Sequence, residues 1–179
     1  MKKNVLILSS SPRRGGNSDV LCDQFQLGAH DAGHRTEKIF LKDKTIHYCN
    51  GCGACINQKN PCVQQDDMAE ILDKMIAADV IVLATPVYFY TMAAQMKTLI
   101  DRTAARYTDI TGKDFYFIVA AADTNKEAME RTLEGFRGVT SCLTDPHEKG
   151  LILGVGAWNI GDIKKSGVMR EAYEMGKQA

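Results

Sequence analysis

The chain has no surplus of either charge. Its 22 Lys and Arg residues balance 22 Asp and Glu residues over 179 positions, so no global field draws it to nucleic acid or to an anionic membrane. No run of 18 apolar residues occurs, which excludes a hydrophobic membrane-spanning helix. Behind Met1-Lys2-Lys3 only Val5-Leu6-Ile7-Leu8 is apolar, too short for a secretory signal, and a cytoplasmic location is expected. There is no G-x-S-x-G elbow, and His30, His34, His47 and His147 lack a triad-like context, which argues against a hydrolase. Neither G-x-G-x-x-G nor G-x-x-x-x-G-K-[ST] is present, so the dinucleotide fingerprint and the Walker A loop are both missing. Repeats, low-complexity tracts and linkers are absent too, and the length fits one domain, residues 1–179, with a substantial core.

What is present alternates. Strands are predicted at Asn4–Leu8, Thr36–Leu41, Val80–Ala84, Phe115–Ala121 and Leu151–Val155. The third is apolar at every position, as in a parallel strand covered on both faces. Helical faces are expected from Leu21, Phe25, Gly28 and Ala32, from Met92, Met96, Leu99, Ile100 and Thr103, and from Met129, Leu133 and Phe136. Asp66 or Asp67 is suited to cap a helix ending at Ala78. A last helix is predicted from about Gly161 to Gly176, with Ile163, Val168, Ala172 and Tyr173 inward. The pattern predicts a three-layer α/β domain with right-handed crossovers and a ligand beyond the carboxyl ends of the strands.

The first strand runs into Ser9-Ser10-Ser11-Pro12-Arg13-Arg14-Gly15-Gly16-Asn17-Ser18. Free N–H groups at a helix start and the positive end of its dipole favour an anion there. Hydroxyl donors without a P-loop lysine suit the terminal phosphate of flavin mononucleotide (FMN); the other reading is an ordinary strand–helix turn. Arg13 and Arg14 are placed to offset phosphate charge or to lie in solvent.

Strand three ends in Thr85-Pro86-Val87-Tyr88-Phe89-Tyr90. A flat heteroaromatic ring would stack on such aromatics, which otherwise plug the sheet or an interface. Strand four ends in Ala120-Ala121-Ala122-Asp123-Thr124, where small residues admit a ring, or where Asp123 or Thr124 caps the next helix. Asp101 and Arg102 are expected to form a structural helix-end pair.

Six cysteines in such a chain are expected to be reduced, catalytic or metal-bound. Cys49, Cys52, Cys55 and Cys62 form C-x2-C-x2-C-x6-C. Three closely spaced thiolates with a more distant fourth suit a [4Fe–4S] cluster; unligated thiols, zinc or a redox disulfide are the alternatives. Gly51 and Gly53 allow a tight backbone, and Cys22 and Cys142 fall on predicted helices as small hydrophobes. The loop is expected at the flavin end of the sheet.

Taken in order, Ser-Ser-Pro-Arg-x-Gly-Gly-Asn-Ser, Cys-x-Gly-Cys-x-x-Cys before Asp66-Asp67-Met68, Thr85-Pro86-Val87-Tyr88-Phe89 and Lys97-Thr98-Leu99-Ile100-Asp101-Arg102 resemble the flavodoxin-like NAD(P)H-dependent FMN reductases, particularly the branch with iron-sulfur flavoproteins. The resemblance is specific over residues 1 to about 110 and looser beyond. It implies a flavodoxin-like fold with strand order 2-1-3-4-5 and helices on both faces, and assembly as a homodimer or homotetramer. It implies FMN held by Ser9, Ser11, Pro12, Arg13, Gly16, Asn17 and Ser18, with Pro86, Val87, Tyr88 and Phe89 along the ring and Ala121, Ala122 and Asp123 opposite. The implied activity is electron transfer from NAD(P)H through FMN to a small acceptor, a quinone, flavin, azo or nitro compound. The flavin carries the chemistry, so no catalytic side chain is assigned. The rivals are a flavodoxin-type electron carrier and a thiol or iron-sulfur redox protein built on the Cys49–Cys62 loop.

Overall fold

The structure, a computed structural model, describes residues 1–57 and 62–179. In chain order it runs β1 (Asn4–Ser9), α1 (Asn17–Asp31), β2 (Arg35–Phe40), α2 (Ala54–Asn57), α3 (Met68–Ala77) and β3 (Val80–Tyr88). It continues β4 (Thr91–Met92), α4 (Ala94–Arg102), β5 (Asp114–Ala120), α5 (Glu130–Thr140), β6 (His147–Gly154) and α6 (Val168–Lys177). The long strands pair in parallel as β2-β1-β3-β5-β6, and β4 folds back antiparallel on the end of β3. Counting the long strands alone, this is the expected 2-1-3-4-5 order of a flavodoxin-like α/β fold.

The pleat sends successive side chains to opposite faces, and the central strands are apolar on both. Leu6, Leu8, Ile81, Leu83 and Phe117 pack under α3, α4 and α5, while Val5, Ile7, Val82 and Ile118 pack under α1 and α6. On the first face Phe117 meets Phe136 with ring centroids 5.0 Å apart; on the second Phe25 meets Tyr116 edge-on at 5.0 Å. Helices α1 and α6 touch backbone to backbone. A Cβ on Gly28 would lie 2.0 Å from the Tyr173 carbonyl oxygen, and one on Gly176 would lie 2.1 Å from that of Phe25, so only glycine fits either place.

Several local expectations are corrected. Ala29, not Ala32, completes the buried face of α1, and Ala32 is an exposed C-cap. Met92 belongs to β4, and α4 begins only at Ala94. The last helix is split: a 3-10 turn spans Asp162–Lys165, Ser166 is extended, and α6 starts at Val168. The Ser166 hydroxyl bonds the Ile163 carbonyl, offering the backbone an alternative to helix, and Gly167 adds its low helix propensity. Cys142 lies in an exposed turn after α5 and is not a core residue.

Two features brace the carboxyl side. Phe89 and Tyr90 join β3 to β4 as a two-residue hairpin with φ of 49° and 63°. Type I′ turns require positive φ at both central residues and favour Asn-Gly, so two bulky aromatics are held there under strain. The second feature is a staple between α3 and α4. Arg102, paired with Asp66 and not with its neighbour Asp101, donates at 2.6 and 3.0 Å to that carboxylate and at 2.6 Å to the His47 carbonyl. Asp66 also accepts the N–H groups of His47 and Met68, and both side chains of the pair are buried. Burial opposes the charge on Asp66, but the Arg102 guanidinium and these N–H groups outweigh it and hold its pKa below the usual carboxylate value. Asp101 is taken instead by Lys97, one helical turn earlier.

Replacing Phe89-Tyr90 by Asn-Gly should relieve the turn and stabilise the fold by roughly 1–2 kcal/mol, read as a higher melting temperature. Asp66→Asn should cost about 3 kcal/mol, because it strands a buried guanidinium; urea unfolding at pH 7 measures it. With a depressed folded pKa, Asp66 contributes fully above the ordinary carboxylate pKa, and that contribution is lost as pH falls through its folded value. The variant should lack that part of the wild-type acid limb.

Candidate functional site

The end of β1 is tied down from the first turn of α1. The buried Asp19 carboxylate accepts from Ser9 Oγ, the Gly15 N–H and Lys38 Nζ, each at 3.0 Å. Burial works against the Lys38 ammonium, but hydrogen bonds to Asp23 and Asp19 raise its pKa above the ordinary lysine value, so Asp19 keeps a charged partner. Nearby, the Cys22 thiol is fully buried, and burial pushes its pKa far up; it stays a thiol and packs as a hydrophobe. The sequence reading missed Asp19. Its signal was an acidic residue in the first helical turn beneath a Ser/Gly loop.

The loop itself is closed by its own hydroxyls. Ser10 Oγ donates to the Ala84 carbonyl at 2.8 Å, and Ser11 Oγ donates to the Arg13 carbonyl at 2.8 Å while accepting the Arg13 N–H at 3.2 Å. Gly16 presses on that turn: a Cβ there would stand 2.5 Å from Ser11 Oγ. The Gly16 carbonyl takes the Val20 N–H, which leaves the N–H groups of Asn17, Ser18 and Asp19 as free donors of α1 among the described residues. Beside them the buried Ser18 Oγ has no partner among the described residues. An orphaned hydroxyl next to unpaired N–H groups at a helix start fits an anionic group such as a phosphate.

Other expected contacts are spent within the protein. Ser9 is buried on Asp19. The Asn17 amide donates at 2.9 Å to the carbonyls of Ala157 and Asn159, and its oxygen accepts the Ile163 N–H. Arg14 stacks over Phe40 with 4.8 Å to the ring centroid and pairs with Asp43. Pro12 is half-buried, and Arg13 is exposed.

Beyond the strand ends lies a crevice of about 330 Å³. Arg13 stands on one side and Pro86, Val87 and Tyr88 on another; Ala120, Ala122, Ala157 and Trp158 complete it. Of the residues expected there, Phe89 is fully exposed and outside the lining, and the Ala121 side chain points into the core. The strand period explains Ala121, since Ala120 and Ala122 take the alternate side. Asp123 faces an adjoining depression of about 320 Å³ with Tyr90, Asn125 and Arg131. Asn125, not Asp123 or Thr124, caps the following turn by accepting the Glu127 N–H. Ala157 and Trp158 were missed; the available signal was the single tryptophan shortly after the Gly-x-Gly end of β6. A larger depression, about 420 Å³, lies at the opposite end of the sheet between Val5, Thr36 and Ala77. The last turn of α3 borders it, and its Lys74 is already paired with Glu37 and Glu70, so the negative end of that helix dipole disfavours an anion there.

The cysteine segment leaves β2 at the crevice end, where Arg14 meets Asp43, and the Asp66–Arg102 staple closes its neck. Gly51 and Gly53 have φ of 68° and 71°, the tight backbone expected of them. Cys49 and Cys52 are exposed, and Cys55 and Cys62 are half-buried. Among the described residues no three His, Cys, Asp or Glu side chains converge on one point. The stretch 58–61 between Cys55 and Cys62 lies outside the described residues. Cys62 lines a separate depression of about 180 Å³ with Met68, Leu72, Arg102 and Arg106, none of which borders the crevice. No helix of the described residues is long and apolar enough to cross a membrane.

Comparison with known proteins bears on the family and the fold. A protein named iron-sulfur flavoprotein from Archaeoglobus fulgidus is 43% identical over 100 residues, covering 56% of this chain and 44% of that one. One of the same name from Methanosarcina thermophila is 41% identical over 96 residues, covering 54% and 50%. The chain thus spans about half the length of these curated relatives. Among solved structures, an NAD(P)H:quinone oxidoreductase from Methanothermobacter marburgensis superposes with a TM-score of 0.77 at 18% identity, over 99% of this chain and 97% of that one. An FMN-dependent NADH-azoreductase from Bacillus anthracis, solved with FMN, gives 0.75 at 17% identity over 99% of each chain. At such identities the superpositions speak for the fold alone. The model of the family described as NADPH-dependent FMN reductase matches residues 3–142, and the chain belongs to that family.

Proposed function

We propose that residues 1–179 form one FMN-binding oxidoreductase domain that takes electrons from NAD(P)H and passes them to a small acceptor such as a quinone, flavin, azo or nitro compound. The observation that carries this reading is the orphaned Ser18 hydroxyl beside the free N–H groups of α1; the adjoining Arg13 and the Asn17-bound Ala157 line a crevice with small residues on one side and Tyr88 on another. In it the phosphate sits on the start of α1, against Gly16, with Arg13 offering charge from the loop. Pro86, Val87 and Tyr88 flank the ring, and Ala120 and Ala122 admit it closely. When bound, FMN supplies the hydride and electron chemistry. The chain's part is to hold the phosphate by backbone and hydroxyl donors, to present a flat apolar slot, and to limit water around it. Ser9, Ser11 and Asn17 serve by shaping the loop. Exposed Phe89 and Tyr90 support assembly as a homodimer or homotetramer, since apolar patches of this kind mark contact surfaces.

A second reading rests on the iron-sulfur flavoproteins named above and on the spacing of Cys49, Cys52, Cys55 and Cys62. A [4Fe–4S] cluster on these thiols would make the loop a second redox centre. As the described thiols stand they do not converge, so no step is routed through a cluster.

Ser18→Ala is expected to weaken FMN binding roughly 10- to 100-fold, the loss of one hydrogen bond to a charged group, measured by quenching of FMN fluorescence. It removes an unsatisfied buried hydroxyl, so the flavin-free protein should melt no lower than wild type; unchanged FMN affinity would sink the phosphate assignment. Protein purified without oxygen separates the two readings of the loop. Stoichiometric iron with a broad absorbance shoulder beyond the flavin bands supports the cluster, and a plain flavin spectrum without iron supports free thiols.

A further inference from the structure

Trp158 is the one tryptophan of the chain, and nothing so far gives its indole a task. Its backbone, by contrast, is held from all sides. The Gly156 N–H donates to the Asp123 carbonyl at 2.7 Å and the Ala157 N–H to the Ala121 carbonyl at 2.9 Å. Asn17 Nδ2 grips the carbonyls of Ala157 and Asn159 at 2.9 Å each, Arg13 reaches the Trp158 carbonyl at 3.4 Å, and the Asn159 N–H bonds Asp162 at 2.7 Å. On this fixed loop the Trp158 residue is 73% exposed, yet it borders the crevice.

Burial grades outward across the crevice. Ala120 and Ala157 are buried and make its floor, while Tyr88 at 44% and Trp158 at 73% exposure make its rim. A ring lying on the floor takes the small residues; whatever lies over that ring meets the rim. An indole on a rigid backbone has only two side-chain torsions to lose, so it offers a large flat contact at low entropic cost. Leaving it in water in the free protein is then explained by a partner that comes and goes.

We infer that Trp158 is a specificity-determining residue of the acceptor side, stacking on planar aromatic acceptors as they enter over the flavin. The inference rests on the FMN reading of the crevice. It assigns a preference for flat, electron-poor rings over compact acceptors of the same oxidising capacity, because offset stacking rewards shape and ring electronics together.

The test compares steady-state reduction of 1,4-naphthoquinone and of ferricyanide by the FMN-loaded protein. Trp158→Ala should raise the KM for naphthoquinone roughly five- to tenfold relative to that for ferricyanide, with a smaller change in kcat, and Trp158→Phe should restore most of the difference. In wild type, naphthoquinone should also quench tryptophan emission saturably near its KM. Equal changes for both acceptors, or none, overturn the inference. So does a matching loss of FMN affinity in Trp158→Ala, which would make the indole part of the flavin's own wall. Failure of the FMN reading itself shows differently, as wild-type protein that retains no flavin or is not reduced by NAD(P)H.

Discussion

The carboxylate of Asp19 holds the candidate site together. It collects a hydroxyl from the end of β1, an N–H from the loop and an ammonium from β2, so three segments are fixed by one buried group. Without an anion there, the buried Ser9 hydroxyl would lose its partner, Lys38 would keep only Asp23, and the Gly15–Gly16 turn would lose its anchor. Lys38 in turn neutralises Asp19, which keeps the start of α1 attractive to a ligand anion. Two residues earlier, Asn17 performs the matching task toward the β6–α6 loop. The first turn of α1 therefore braces both sides of the crevice before any ligand arrives.

The cysteine segment is organised by a different device. A buried Arg102–Asp66 pair pins its entry at His47 and its exit at Asp66, leaving the thiols outside the core. A buried pair of this kind is weak as net stabilisation but costly to break, which suits a neck that must stay closed while the loop beyond it takes up a ligand or none. Among the described residues, the depression beside Cys62 and the crevice share no lining residue.

Much of this was legible in the residues. The unbroken Val80–Ala84 run, the alternation of strands with amphipathic segments and the Ser/Gly loop after Leu8 each follow from local rules of burial and hydrogen bonding, and together they specify the layered sheet. The loop reads as an anion cradle, but which of its hydroxyls are already engaged was not legible. Ser9, Ser11 and Asn17 read as donors to a phosphate, whereas their partners are Asp19, Arg13 and the carbonyls of Ala157 and Asn159. Two of those partners lie within ten residues, yet which hydroxyl is left over depends on the folded geometry of all of them. Arg102 misled in the same way: a neighbouring Asp101 was the obvious partner in sequence, and a carboxylate 36 positions away took it.

By itself the sequence determined the long strands, most helices and their parallel arrangement, because strand and helix periods and turn residues act over short spans. Tertiary structure alone decided which polar groups remain free. It turned Ala121 inward and Ala122 outward, brought Trp158 from beyond β6 to the rim beside Tyr88, and left Ser18 as the unpaired hydroxyl. Those outcomes depend on hydrogen-bond partners more than a hundred residues apart, such as Asn17 and Asn159, and their meeting is a property of the packed sheet and not of any stretch of chain.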